Sequence, residues 1–175
     1  MTPLPVERVV ERYRGLGMLA AALALYVLEG LLPRPLPWMR LGLSNIVILL
    51  VLVRQGPVPA LKISLARTLF GSLFLGSLLT PVIVLNLAGS LASWGVMSAL
   101  VPLYPRWVSL AGVSLAGAAF HAAAQWAAAV WLILPGLAWG LLPLILLPSL
   151  AAGIVVGIIA AAILPQEAEG RIQPG

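Results

Sequence analysis

The chain has 175 residues, of which 62% are hydrophobic and only 9% charged, and its mean hydropathy is +1.10. Soluble domains carry about 25% charged residues, so this composition excludes an ordinary soluble domain and indicates a protein with several membrane spans. The net charge is +5, and the ten basic residues are scattered along the chain, which argues against nucleic-acid binding. The chain has no cysteine, which excludes disulfides, thiolate metal sites and cysteine nucleophiles, and no aspartate, which excludes paired aspartates.

The first 15 residues form a polar lead-in, and six apolar runs follow it. Runs of about 20 apolar residues are long enough to cross a bilayer, and the loops between these runs are short and marked by proline and glycine. The sequence therefore predicts an all-α fold, a bundle of six transmembrane helices. The second run is short, and we expect it to be tilted or partly interfacial. The predicted helices cover residues 16–32, 40–54, 57–79, 81–103, 108–134 and 137–164.

The basic residues of the loops and tails predict the orientation of the bundle. Basic residues are enriched in cytoplasmic loops, and an N-terminus in the cytoplasm places six arginines inside and two outside. We expect a multi-pass protein of the cell membrane, with a cytoplasmic lead-in at 1–15, one membrane domain at 16–164 and a cytoplasmic tail at 165–175. The inner arginines are Arg8, Arg12, Arg14, Arg54, Arg106 and Arg171, and the outer ones are Arg34 and Arg40.

Small residues recur four positions apart in several runs. Such pairs allow close approach of membrane helices, because association in lipid depends on packing rather than on the expulsion of water. Packing within the bundle explains most of them, while the Ala20 and Ala24 face of the first helix is the best alternative docking surface for a partner subunit. The pairs are Ala20 and Ala24, Ser72 and Gly76, Gly112 and Ala116, and Gly153 and Gly157.

Several polar side chains interrupt the apolar runs. An ionisable group within a membrane costs roughly 2.5–3.5 kcal/mol on insertion scales, so such groups usually face a bundle interior, a cavity or a partner. The principal polar groups are Glu29, Lys62, Arg67, Asn86, His121 and Gln125. In the predicted topology, all of them except Lys62 can converge between the midplane and the outer surface. Lys62 lies nearer the cytoplasmic end and is expected to snorkel. The predicted substrate-binding residues are Glu29, Asn45, Arg67, Asn86, His121 and Gln125.

Each of these residues also has a purely structural interpretation. Arg67 could form an ion pair or bind backbone carbonyls, and Glu29 could be its counter-ion or an interfacial carboxylate that reaches lipid headgroups. His121 could be an interior histidine held by hydrogen bonds. Asn45 and Asn86 could link helices. Their common depth is what favours a binding site over these separate explanations.

The residues needed for familiar enzymatic centres are missing. With one histidine, no cysteine and no aspartate, the chain lacks the ligands of a catalytic zinc site and the members of a catalytic triad. It also contains no aspartate-rich motif for magnesium and no GxxxxGK[ST] loop for a nucleotide. We therefore expect no metal, no cofactor and no enzymatic activity of its own.

Four segments carry a family resemblance: ALYVLEGLLPRPLPWMRLGLSNIVILLVL (24–52), ARTLFGSLFLGS (66–77), LNLAGSLASWGVM (85–97) and GVSLAGAAFHAAAQ (112–125). They resemble the Gx transporters, a family also labelled heptaprenyl diphosphate synthase component I. The resemblance covers residues 16–135, and the E…P…P…LGLSN run is its most specific part. That family is similar to the substrate-binding S-components of energy-coupling-factor vitamin transporters, which are six-helix bundles. Where the family pattern reads His-Asn-x-x-Gln, this chain has alanine at position 122, between His121 and Gln125.

The resemblance implies that loop 33–43 covers a site open to the outside and that the small-residue face of the first helix docks a partner. The leading interpretation is a transporter or substrate-binding component that captures a small polar or amphipathic solute in an outward-facing cavity, energised by a partner or by an ion gradient. The alternative is a membrane accessory subunit of a heptaprenyl diphosphate synthase, which presents an isoprenoid diphosphate or another lipid. A purely structural membrane scaffold is the third interpretation.

Overall fold

The computed structural model describes residues 5–32, 42–132 and 142–164. These residues form six α-helices and one short 3-10 helix, without any strand, so the all-α prediction is confirmed and each apolar run corresponds to one helix. The 3-10 helix, Val101–Leu103, continues the fourth α-helix. The α-helices are α1 (Pro5–Leu31), α2 (Ser44–Gln55), α3 (Pro57–Phe74), α4 (Val82–Leu100), α5 (Leu110–Leu132) and α6 (Leu142–Ile163).

Four segments of the described chain are long and apolar enough to cross a membrane. Together they indicate a multi-pass membrane protein. α3 is not among them, because Lys62 and Arg67 lower its hydropathy, and α2 is too short. The count of six spans therefore stays a prediction. The four segments are Tyr13–Leu31, Val82–Leu103, Leu110–Leu132 and Ile145–Ile163.

α2 lies inside the bundle. Its 12 residues extend about 18 Å, which is less than the thickness of the hydrocarbon layer of a bilayer. Ser44 and every residue from Ile46 to Leu52 are buried, and the helix packs against α1, α3 and α6. The apolar character of this run therefore comes from a protein core rather than from contact with lipid. The other helices enclose α2, while its tilt and its depth in the membrane stay predictions.

α4, α5 and α6 pack side by side in antiparallel order. Gly89 of α4 lies against His121 and Gln125 of α5, while Gly117 of α5 lies against Met97 near the other end of α4. Between α5 and α6 the approach is closer still. A methyl group on Gly153 would lie 2.7 Å from the β-carbon of Ala118, and one on Gly157 would overlap the backbone of α5. The Gly153 and Gly157 pair therefore serves packing within the bundle.

Two helix boundaries differ from the prediction. α1 begins at Pro5, so the helix extends through most of the polar lead-in. The prediction missed this part because a search for apolar runs does not detect a helix made of charged residues. α3 ends at Phe74 rather than at residue 79. There Gly76 adopts a positive φ of 66° and the N–H of Ser77 binds the carbonyl of Ser72, a glycine-terminated helix end.

The outward faces of the helices are apolar. Phe70 and Phe74 of α3, Trp131 of α5 and Ile158 of α6 all expose at least half of their side chains. Large exposed apolar surfaces of this kind suit contact with lipid. Ala20 and Ala24 of α1 are also exposed, as is Lys62, which agrees with the expectation that Lys62 snorkels.

Candidate functional site

A cavity lies between the six helices, each of which contributes at least one residue to its wall. It encloses about 750 Å³, a volume that includes the open solvent adjoining it. The structure brings all six predicted residues together on this wall, while their role in substrate binding stays a prediction. They are Glu29, Asn45, Arg67, Asn86, His121 and Gln125.

The wall of the cavity changes character along its length. One end, the polar end, is formed by the six predicted residues together with Ser44. The other, the apolar end, is formed by Met97, Ala118, Gly153 and Val156 together with Ser114. Along α4 the distance from Asn86 to Met97 is 11 residues, about 16 Å. The cavity is therefore elongated, with its ionisable and amide side chains at one end and three serines along the rest of the wall, Ser90, Ser114 and Ser149.

Arg67 links α3 to the start of α2. One terminal nitrogen of its guanidinium donates to the hydroxyl of Ser44, and the other donates to the side-chain oxygen of Asn45 at 2.6 Å. The guanidinium carbon also lies 5.9 Å from the centre of the Tyr26 ring, within the range of a cation–π interaction. Arg67 is only 3% exposed, which confirms the expectation that it faces the bundle interior.

Glu29 binds the first N–H groups of α2. One oxygen of its carboxylate accepts hydrogen bonds from the backbone N–H of Leu43 and, at 3.3 Å, from that of Ser44. The first N–H groups of a helix have no acceptor within the helix, and they carry the positive end of its dipole. A carboxylate is therefore stabilised there. Because Glu29 is 2% exposed, its interpretation as an interfacial carboxylate that reaches headgroups is wrong.

Asn86 and Gln125 connect α4 to α5, and one polar group of Asn86 is left without a hydrogen bond in the part of the chain that the structure describes. The Gln125 amide nitrogen donates to the Asn86 side-chain oxygen at 3.2 Å. The Asn86 amide nitrogen is buried and has no hydrogen-bond partner among the described residues. A buried polar group left unsatisfied costs about 1–3 kcal/mol, so native structures usually provide a partner. The helix-linking interpretation thus accounts for the oxygen of Asn86 but not for its nitrogen.

Glycines adjacent to the cavity determine where its side chains lie. A methyl group on Gly89 would lie 2.7 Å from Cγ of Gln125 and 2.9 Å from Nε2 of His121, so only glycine leaves both side chains where they are. Gly71 of α3 makes similar room for the ring of Tyr26, whose hydroxyl lies 3.3 Å from that of Ser72. Gly89 is therefore a positioning residue of the cavity.

Sequence reasoning missed three residues: Tyr26 and Ser44, which line the cavity, and Gly89, which makes room for His121 and Gln125. Tyr26 precedes Glu29 by three residues, a spacing that places both on one helix face and could have identified it. Ser44 directly precedes Asn45 in the LGLSN segment. Gly89 gave no signal, because its role depends on contacts with another helix. Residues 33–41 of the predicted covering loop lie outside the described residues, so only Gly42 and Leu43 of that loop are seen.

Other polar contacts hold α3 and α4 together beside the cavity. The hydroxyls of Thr68 and Ser90 lie 3.2 Å apart, and Trp94 donates to the carbonyl of Pro57 at 2.9 Å. Within the described ranges, no three His or Glu side chains are grouped so that they could hold a metal ion. The site thus offers hydrogen-bond donors, one guanidinium and one carboxylate as its means of recognition.

A family model described as heptaprenyl diphosphate synthase component I matches residues 18–163. The match includes all of α2 to α6 and more than half of α1, so it takes in every wall residue of the cavity. That family is a non-catalytic component, which confirms the expectation that the chain is not itself an enzyme. No curated protein and no solved structure matches the chain. The likeness to S-components stays a prediction.

Proposed function

Since the chain belongs to the heptaprenyl diphosphate synthase component I family, we propose that it is a membrane-embedded component that captures a small polar or amphipathic solute. The observation that carries the proposal is the meeting of six polar side chains from five helices in one cavity. Polar groups that only link membrane helices can do so in local pairs. Convergence on a shared space with apolar walls is typical of a ligand site.

The proposal includes six membrane-spanning or membrane-embedded helices with both termini in the cytoplasm. Support for α3 as a span comes from its outer face, where Phe70, Leu73 and Phe74 are exposed while Arg67 is buried. Such a division suits a helix with lipid on one side and a polar interior on the other. In this orientation, the polar end of the cavity lies in the outer half of the membrane and receives solute from outside.

Movement of the solute across the membrane would need a source of energy outside this chain. The sequence contains no nucleotide-binding loop, so ATP hydrolysis would have to be supplied by a partner, unless an ion gradient drives transport. The exposed Ala20 and Ala24 face of α1 is the proposed docking surface. Small residues there would let a partner helix approach the backbone of α1 closely.

Solute identification followed by uptake tests the proposal. Mass spectrometry of the purified protein names the bound solute, and sealed vesicles containing the protein are then given that solute in labelled form. We expect uptake above that of protein-free vesicles, and we expect the His121→Ala variant to reduce it at least tenfold. Vesicles that accumulate no solute, while the solute still binds, would limit the function to capture alone.

The family name favours a second candidate function, that of a membrane accessory subunit of a polyprenyl diphosphate synthase. In that case the cavity would present an isoprenoid or lipid substrate to a soluble catalytic chain. The distinguishing measurement is co-purification with a soluble prenyltransferase from the same cells, followed by its activity with and without this chain. A stable complex with activity that depends on the membrane chain would favour this second function over transport.

A further inference from the structure

We propose that the cavity selects an amphipathic anion, with a carboxylate or phosphate head at the polar end and an apolar body that reaches the apolar end. The inference rests on the proposed solute-binding function and names the class of ligand for that site. The distribution of donors, charge and apolar surface along the wall supports it.

The strongest indication is the amide nitrogen of Asn86. It is buried, it has no hydrogen-bond partner within the described part of the chain, and its residue lines the cavity at 2% exposure. An amide N–H can only donate, so the group that satisfies it must be an acceptor. Carboxylate and phosphate oxygens are strong acceptors without a competing donor.

The charges at the polar end favour a negative head. The guanidinium of Arg67 and the N-terminus of α2 are both positive and both lie there, against the single carboxylate of Glu29. That carboxylate already accepts two N–H groups of α2, so the helix terminus offsets much of its charge. A cationic head would meet the like charge of Arg67 and the Asn86 donor, and the only carboxylate on the described wall, Glu29, is already bound to the start of α2.

The apolar end accounts for the rest of the ligand. Met97, Ala118 and Val156 line it, and it lies about 16 Å along α4 from Asn86. A fully polar solute would leave this surface unused, whereas an alkyl or branched apolar body would be removed from water there. Met97 is unbranched and polarisable, which suits contact with an apolar body.

Binding of simple six-carbon probes to the detergent-purified wild-type protein tests the inference. The probes are hexanoate, hexyl phosphate, hexylamine and hexanol. Acetate and inorganic phosphate are included as anionic head groups that lack an apolar chain. Isothermal titration calorimetry measures the affinities. We expect hexanoate or hexyl phosphate to bind at least tenfold more tightly than hexylamine and hexanol. The preferred anion of the two identifies the head group.

A series from acetate through butanoate to hexanoate tests the apolar end. Burial of one methylene favours binding by about 0.8 kcal/mol, which corresponds to about fourfold in affinity, so each added methylene should strengthen binding by about that factor until the cavity is filled. Affinity that is independent of chain length would overturn the amphipathic part of the inference.

Replacement of Asn86 by leucine tests the donor. Asn86→Leu keeps the approximate volume but removes the N–H group together with the oxygen that accepts from Gln125, so the affinity for the preferred anion should fall at least tenfold. Trp126→Phe is the matched control. It removes another buried N–H, on α5, which has no hydrogen-bond partner among the residues that the structure describes and belongs to a side chain outside the cavity wall. This control should bind the anion as the wild type does.

The outcomes separate this inference from the proposed function. Equal binding of anionic, cationic and neutral six-carbon probes, or no binding of either anion, overturns the inference by measurements on the wild-type protein alone. If a solute of different chemistry then co-purifies with the protein, the proposed function stands without the inference. If the cavity holds no solute of any kind, both are overturned.

Discussion

Arg67 and Glu29 are ionisable side chains in the interior of the bundle, and both bind the start of α2. Arg67 binds the side chains of Ser44 and Asn45, and Glu29 binds the backbone N–H groups of Leu43 and Ser44. The same residues line the cavity. Any change that frees the start of α2 therefore also deforms the polar end.

Replacement of Arg67 by leucine should abolish solute binding or destabilise the detergent-solubilised protein. The change leaves the oxygens of Ser44 and Asn45 without their donors, and each unsatisfied buried group costs about 1–3 kcal/mol. Arg67→Lys is the informative companion, because it keeps the charge but lacks the planar fork that reaches two acceptors at once. Thermal unfolding and solute binding are the measurements. A leucine variant as stable and as active as the parent would contradict the account.

The Gly89→Ala substitution should weaken solute binding at least tenfold. The added methyl group would displace His121 and Gln125 of α5 from their positions on the cavity wall. Gly95→Ala on the same helix is the matched control, since nothing lies within 4 Å of a methyl group there. Alanine favours a helix over glycine by about 1 kcal/mol, so Gly95→Ala should bind normally and melt no lower than the wild type. Equal binding by the two variants would refute the positioning role of Gly89.

Among the elements, α2 depends most on groups from other helices. Its first N–H groups have Glu29 of α1 as acceptor instead of a capping residue of their own. Loss of a capping acceptor costs about 0.5–2 kcal/mol. Glu29→Ala should therefore lower the melting temperature, and Glu29→Gln, which retains an oxygen acceptor, should lower it less. Equal melting temperatures for the two variants would show that the cap does not stabilise α2.

The positions of the six helices could be predicted because apolar runs separated by proline and glycine are a local property of the chain. The end of α3 could not be read from hydropathy, since the run remains apolar past Gly76 and only the positive φ of that glycine ends the helix. The burial of α2 was equally hidden. A run that faces a protein core and a run that faces lipid have the same composition.

The convergence of the polar residues could also be predicted in outline, because lipid forces Arg67, Asn86 and Gln125 to face inwards. Their individual partners could not. Glu29 binds the start of α2, and Gln125 donates to Asn86. Both contacts join different helices, and no local sequence pattern specifies them. For the same reason, Gly89 was recognised only once α5 was seen against α4.

For the molecule as a whole, the distribution of arginines predicts the orientation in the membrane, because cytoplasmic termini would place six of them inside and two outside. Since the chain has no cysteine, a single thiol can be introduced at Thr2 or Gln173. In intact cells, both should resist a membrane-impermeant thiol reagent and react once the cells are opened. Labelling of only one in intact cells would mean an odd number of spans, and labelling of both would invert the topology.

The central claim is that the polar groups of the cavity hold a solute, and native mass spectrometry of the purified protein tests it most directly. We expect the wild-type protein to carry a bound small molecule. Its occupancy should fall at least tenfold in the Asn86→Ala and His121→Ala variants, while their expression and melting temperatures stay close to those of the wild type. A wild-type protein without any bound molecule, or variants that carry the same molecule at the same occupancy, would contradict the claim and leave these side chains as links between helices.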